Sequence, residues 1–151
     1  MSIHFQQTTT ATPEQFVAAL TYFGPERQTL FPNSQDENLE VHSLGTNEAD
    51  VTEGTGPIWE RLHYDWHDSQ RIVIEVTDSN VWGGNSGYTY TLQPRPDGMT
   101  DVDVDIVREG KNLRGRALGL VLGTVGKGSL GKSFAATVDA VEARSSAAVA
   151  A

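Results

Sequence analysis

Residues 101–144 read DVDVDIVREGKNLRGRALGLVLGTVGKGSLGKSFAATVDAVEAR, and the hydrophobic period changes partway along them. Over the first six positions Val102, Val104 and Ile106 alternate with Asp101, Asp103 and Asp105. A two-residue period describes a strand with one apolar face and one solvated, acidic face. From Lys111 onward Leu113, Ala117, Leu120, Val121, Thr124, Gly128, Phe134, Val138 and Val141 recur at threes and fours. This predicts one long helix over 111–144, about 33 residues and ~50 Å. Glycines at 115, 119, 123, 126, 128 and 131 each cost about 1 kcal/mol relative to alanine in such a helix. A kink or loosened turn is therefore expected near Gly126–Gly128. Residues 145–151 read as a flexible tail of small residues.

Working back toward the N-terminus, the same two-residue period recurs between turn signals. Strands are predicted at 3–10, 39–44, 48–53, 58–66, 71–77 and 88–92, which with 101–106 makes seven. Gly45-Thr46-Asn47, Gly54-Thr55-Gly56-Pro57, Asp68-Ser69 and Pro94–Gly98 are the turns, and 78–86 is a Gly/Asn-rich loop around Trp82. Thr12, Pro13 and Gln15 form a helix start with a capping box, followed by Phe16, Val17, Ala19, Leu20 and Phe23 at helical spacing. A second short helix over 25–31 is stopped by Pro32. Connections of turn length require an antiparallel sheet. Its apolar face needs a cover, and only the last helix is large enough. The expected fold class is α+β, a seven-stranded curved sheet wrapped around a long C-terminal helix with two short helices between strands 1 and 2. Residues 1–144 would form this single domain.

The composition bounds the function. The chain has 151 residues, 20 acidic against 11 basic, a net charge of −9 and no cysteine. Disulfide scaffolds, thiol catalysis and cysteine-based zinc sites are excluded. The acidic balance opposes nucleic acid or an anionic membrane as the main partner. No 18-residue apolar run is long enough for a transmembrane helix, and the N-terminus lacks the basic and apolar regions of a signal peptide. A cytoplasmic location is the expectation.

The order strand, two short helices, six strands and long final helix resembles the START/birch-pollen-allergen-like superfamily, also called SRPBCC. Its local residues resemble the bacterial polyketide cyclase/dehydratase and lipid-transport-like branch. Ala11-Thr12-Pro13-Glu14 resembles the start of that family's first helix. Ile58-Trp59-Glu60-Arg61-Leu62-His63-Tyr64-Asp65 is similar to its mid-sheet strand, and Glu53–Pro57 to the Gly-flanked turn before it. The resemblance spans the whole chain and implies a helix-grip fold with an internal apolar cavity. It does not imply a reaction, because members include cyclases, lipid carriers, hormone receptors and chaperone regulators.

Candidate site residues follow from the alternation. Ile58, Glu60, Leu62 and Tyr64 share an inward face, as do Ile74, Tyr88 and Tyr90 on later strands. Trp66 shares it, and Leu120 and Phe134 face them from the helix. Glu60 is the most informative charge, because a buried carboxylate must be paired or protonated. Arg114 or Arg116 at the rim is the expected structural partner; a general acid or base, or an acceptor for a ligand hydroxyl, is the functional alternative. An exposed Trp82 with Gly83-Gly84, facing Gly54–Pro57, resembles the loops at the cavity mouth of the family's hormone receptors.

Other motifs are weaker. Gly126-Lys-Gly-Ser-Leu-Gly-Lys-Ser133 spells a P-loop, but it would require a strand over 118–125 and a downstream Mg²⁺-holding acid on a further strand. No cofactor is therefore expected. His63 and His67 on a strand lie about 13 Å apart, too far to share a metal. Asp101, Asp103 and Asp105 lack the glycine and glutamate of a calcium loop. No metal site is expected.

Three readings remain: binding of a small hydrophobic or aromatic molecule between sheet and helix, a polyketide cyclase/dehydratase-like enzyme using Glu60 with Tyr64, Tyr88 or Tyr90, and a protein-interaction module. A filled core favours the third, Glu60 set against a phenol or an arginine the second, and an all-apolar cavity the first.

Overall fold

A computed structural model describes residues 1–150 of the chain. Strand β1 (Ser2–Thr9) leads into helix α1 (Pro13–Leu20), and two single 3₁₀ turns follow at Arg27–Thr29 and Asp36–Asn38. Strands β2 (Glu40–Leu44), β3 (Glu48–Thr55), β4 (Ile58–Asp65), β5 (Arg71–Ser79), β6 (Trp82–Pro94) and β7 (Thr100–Gly110) come next. Helix α2 (Leu113–Val121), a π turn (Leu122–Gly126) and helix α3 (Lys127–Ala150) complete it. The strands form one antiparallel, curved sheet in the order β1-β7-β6-β5-β4-β3-β2. Each sequential pair from β2 to β7 is a hairpin, and β1 closes on β7. This is the α+β helix-grip architecture expected from the sequence.

The capping box closes as read: Thr12 Oγ1 accepts from the Gln15 N–H at 3.1 Å, and Gln15 Oε1 from the Thr12 N–H at 2.9 Å. Such a cap is worth about 1 kcal/mol. It aims Phe16 and Leu20 into the core, where they meet Val51, Leu62, Ile72, Leu92 and Val102. Phe134, Val138 and Val141 of α3 complete that core, and Phe134 stacks on Phe5 with ring centroids 6.1 Å apart. Polar ties fix the helix lengthwise: Thr137 Oγ1 donates to the Leu30 carbonyl at 2.9 Å, and Glu142 accepts from Thr9 Oγ1 at 2.8 Å.

The structure differs from the sequence reading at several points. The segment 25–31 makes only a 3₁₀ turn, and 36–38 makes another. Strand β3 runs on to Thr55 because Glu53, Gly54 and Thr55 pair with Glu60, Trp59 and Ile58. The loop expected over 78–86 is a tight connection, with β6 beginning at Trp82 and a bulge between Gly83 and Gly87. Trp82 is consequently buried, not exposed.

The loosened turn is real but lies at 122–126, one turn before its expected place. The helical phase ahead of it turns Leu113 and Leu120 outward, 85% and 70% exposed. Gly115 faces inward there, and a Cβ on it would sit 2.0 Å from the Val81 carbonyl oxygen. Only glycine permits that approach. Residues 118–125 are helical, as are Gly126–Ser133, so no phosphate loop forms. Helix α3 continues through Ala150 instead of ending near Arg144; residue 151, the last of the expected tail, lies outside the described residues.

Candidate functional site

Between the sheet and the helical rod lies a cavity of about 410 Å³. All ten expected residues except Leu120 line it. Ile58, Leu62, Ile74 and Phe134 form apolar wall, and Tyr64, Tyr88, Tyr90 and Trp82 are its aromatic part. Leu120 points to solvent; Leu118 and Leu122, on the opposite side of the helix, take its place, with the half-exposed Val121 at the flank between them. Thr55 and Gly54 reach the cavity, whereas Gly56, Pro57, Gly83 and Gly84 do not, so the expected mouth is only half present. Pro32 and Asn33 contribute to the wall beside Gly54. Trp66 packs on the core outside it.

Two carboxylates face inward side by side, because Glu53 on β3 is the direct cross-strand neighbour of Glu60 on β4. Each has its own arginine. Glu53 is fully engaged. It accepts from Arg27 Nε, from Ser34 Oγ at 3.0 Å and from the Tyr64 hydroxyl at 2.6 Å. Arg27 donates onward to the Leu20 and Tyr22 carbonyls at 3.0 and 2.5 Å and to the Tyr64 oxygen at 2.9 Å. Its guanidinium carbon sits 4.6 Å from the ring centres of both Phe23 and Phe31. Burial works against the Arg27 charge, but Tyr64 and Glu53 outweigh it and raise its pKa. Burial also drives the Tyr64 hydroxyl well above its usual value, and that of Tyr90 to about 12. Both phenols are therefore neutral at physiological pH.

The second pair is incomplete. Arg108 Nη2 lies 3.1 Å from Glu60 Oε1, within ion-pair range. Yet Glu60 Oε1 and Arg108 Nη1 are both buried without a hydrogen-bond partner among the described residues. The two observations agree if the charges are close while the N–H bonds point elsewhere. Tyr88 donates to Glu60 Oε2 at a long 3.3 Å. Arg108 lies over the Tyr88 ring at 4.3 Å and the Trp82 ring at 5.3 Å. Burial raises the Glu60 pKa; Arg108 opposes that shift and neighbouring Glu53 adds to it. Burial lowers that of Arg108. An arginine over aromatic rings with a spare N–H, beside a carboxylate with a spare oxygen, can take both an acceptor and a donor from a guest molecule.

Glu60 thus points inward as its alternation requires, but its partner is Arg108, not Arg114 or Arg116, which are exposed. Arg27, Glu53 and Arg108 are not among the site residues expected from the sequence. Glu53 continues the inward series Ala49, Val51, and Arg108 continues Val102, Val104, Ile106, so the period carried a signal for both. Arg27 has none, because it sits in an irregular segment. The outer sheet face holds Arg61, bonded to Asp50 at 2.8 and 3.0 Å, and His63. Among the described residues no cluster of metal-binding side chains forms.

No protein-family model matches the chain, and no curated protein matches it. Its backbone is similar to several solved structures. TTHA0849 from Thermus thermophilus matches with a TM-score of 0.71 at 13% identity, covering 98% of this chain and 99% of that one. A START superfamily protein from Mycobacterium smegmatis matches with a TM-score of 0.66 at 12% identity, over 95% of each chain. The Zhui aromatase/cyclase from Streptomyces sp. R1128 matches with a TM-score of 0.66 at 13% identity, over 99% of this chain and 95% of that one. With its strand order, its terminal helical rod and the cavity between them, the chain has the START-like, or SRPBCC-like, helix-grip fold.

Proposed function

We propose that the chain binds a small hydrophobic or aromatic molecule bearing oxygen functions in this cavity. The observation that carries the reading is the pair Glu60 and Arg108 among the cavity's lining residues, whose Glu60 Oε1 and Arg108 Nη1 are buried without a hydrogen-bond partner among the described residues. A buried polar atom left unpaired costs about 1–3 kcal/mol. A guest with an acceptor for Arg108 and a donor for Glu60 removes that cost once the two side chains turn those buried atoms toward it, while its body lies against Ile58, Leu62 and Trp82. The likeness to START-like structures supports a cavity of this kind. The test is mass spectrometry of molecules released from protein isolated from its own host, with binding of a neutral apolar dye as a second measure. A dye that competes with the released molecule in the wild type, and more weakly in Glu60→Gln, is the expected result. Absence of dye binding refutes the reading.

A second reading has its own observation. Glu60 is set against both a phenol and an arginine, the arrangement that the sequence associates with an enzyme, and its pKa is raised by burial. A carboxyl group tuned upward is suited to exchange protons with a bound substrate. In a polyketide cyclase/dehydratase-like reaction Glu60 would be the acid or base, and Arg108 with Tyr88 would hold the substrate oxygens. Glu60→Gln would then lower turnover by about 10²–10⁴ with binding little changed. Under the binding reading the same substitution weakens affinity alone.

A further inference from the structure

The acidity of the chain conceals one basic segment. Between Glu109 and Asp139 lie Lys111, Arg114, Arg116, Lys127 and Lys132 and no acidic residue, so the remaining six bases face all twenty acids, a net of −14. Helix α2 begins this segment and is oriented unusually. Its inward side is Gly115, Leu118 and Gly119; its outward side carries Leu113, Leu120 and Val121, which are 85%, 70% and 53% exposed. At 100° per residue these three and Ala117 form one outward stripe, with Arg114 along one edge and Arg116 along the other. A helix covering only its own core would have placed leucines inward and arginines outward.

We infer that α2 is a docking face for an anionic lipid surface. Leucines between arginines are what an interface of acyl chains and anionic headgroups accepts: the apolar stripe enters the headgroup boundary while the guanidinium groups stay with phosphates. The charge selects this occupant over a second copy of the chain. A two-fold contact through the stripe would bring Arg114 and Arg116 of both copies together. The −14 carried elsewhere keeps the rest of the molecule off the membrane, so contact is confined to this end. Leu118, Val121 and Leu122, on or beside the same turns, line the cavity. Docking therefore sets the outer side of the helix that walls the cavity against the lipid, with Val121 at the margin of both. The inference stands on the stripe and its charges, independently of what the cavity holds.

Flotation of the full chain with phosphatidylcholine vesicles, with and without about 30% phosphatidylglycerol, tests it. Binding is expected only to the anionic vesicles, falling as salt rises from about 0.05 to 0.5 M. Arg114→Glu with Arg116→Glu should abolish it; the milder Arg114→Gln with Arg116→Gln should weaken it about 30-fold, at about 1 kcal/mol per charge. Leu113→Ser with Leu120→Ser should weaken it about tenfold. All four positions are exposed, and unchanged circular dichroism spectra show that the variants fold. No flotation with anionic vesicles, or equal flotation of Arg114→Glu with Arg116→Glu, overturns the inference. So does a dimer in sedimentation velocity that dissociates in Leu113→Ser with Leu120→Ser, which would assign the stripe to a second copy.

Discussion

The strain in the Glu60–Arg108 pair can be measured by removing each charge and then both. Arg108→Leu leaves the Glu60 carboxylate, 12% exposed, without its cation. One-sided loss of a buried pair costs about 3–5 kcal/mol. We place this case near 3, because the pair is misaligned and protonation of Glu60 relieves part of the loss. For a chain of this length that is a fall in Tm of roughly 6–12 °C. Glu60→Leu should cost less, about 1–2 kcal/mol, because Arg108 keeps the faces of Tyr88 and Trp82. The double variant removes two desolvated charges and should be at least as stable as the wild type, gaining up to about 1–4 kcal/mol. Urea denaturation at pH 7 reads all four corners of the cycle, and dye binding reads the cavity in parallel. A double variant as destabilised as the sum of the singles would refute the argument. The pair would then be a stabilising structural element, and its unmet hydrogen bonds would say nothing about a ligand.

Further outcomes are expected. The folded-state pKa of Glu60 is raised, so the stability it contributes is fully present below its unfolded value of about 4.5 and is lost as pH rises through the folded value. Measured from pH 4 upward, the stability of wild type relative to Glu60→Gln should therefore decline, and a flat difference would contradict the burial of the charge. Leu62→Trp should fill the cavity and abolish dye binding with little change in Tm, and retained binding would place the dye elsewhere. Gly128→Ala meets open space on a helix and should raise stability by about 0.5–1 kcal/mol. A loss of stability or of ligand binding would revive a role for the P-loop-like run. Gly115→Ala should instead destabilise, because its methyl group meets the Val81 carbonyl.

Local signals decided most of the fold. Alternation located the strands and the inward side of β4 with Glu60; the capping box located α1, and the period change after β7 located the helical rod. These succeed because a pleat or a helical turn is completed within a few residues, and side-chain direction follows from it. Alternation also carried Glu53 and Arg108 inward, though at strand ends where flanking turn signals hid them. What the chain alone did not decide was partnership. Arg108 reaches Glu60 only because β7 stands three strands from β4 in a curved sheet. Arg27 reaches Glu53 only because an irregular segment folds over the sheet edge. The outward turn of Leu113 and Leu120 likewise depends on Gly115 seating α2 against Val81. Periodicity says that a helix has two faces, but only packing against the rest of the molecule selects which of them meets solvent.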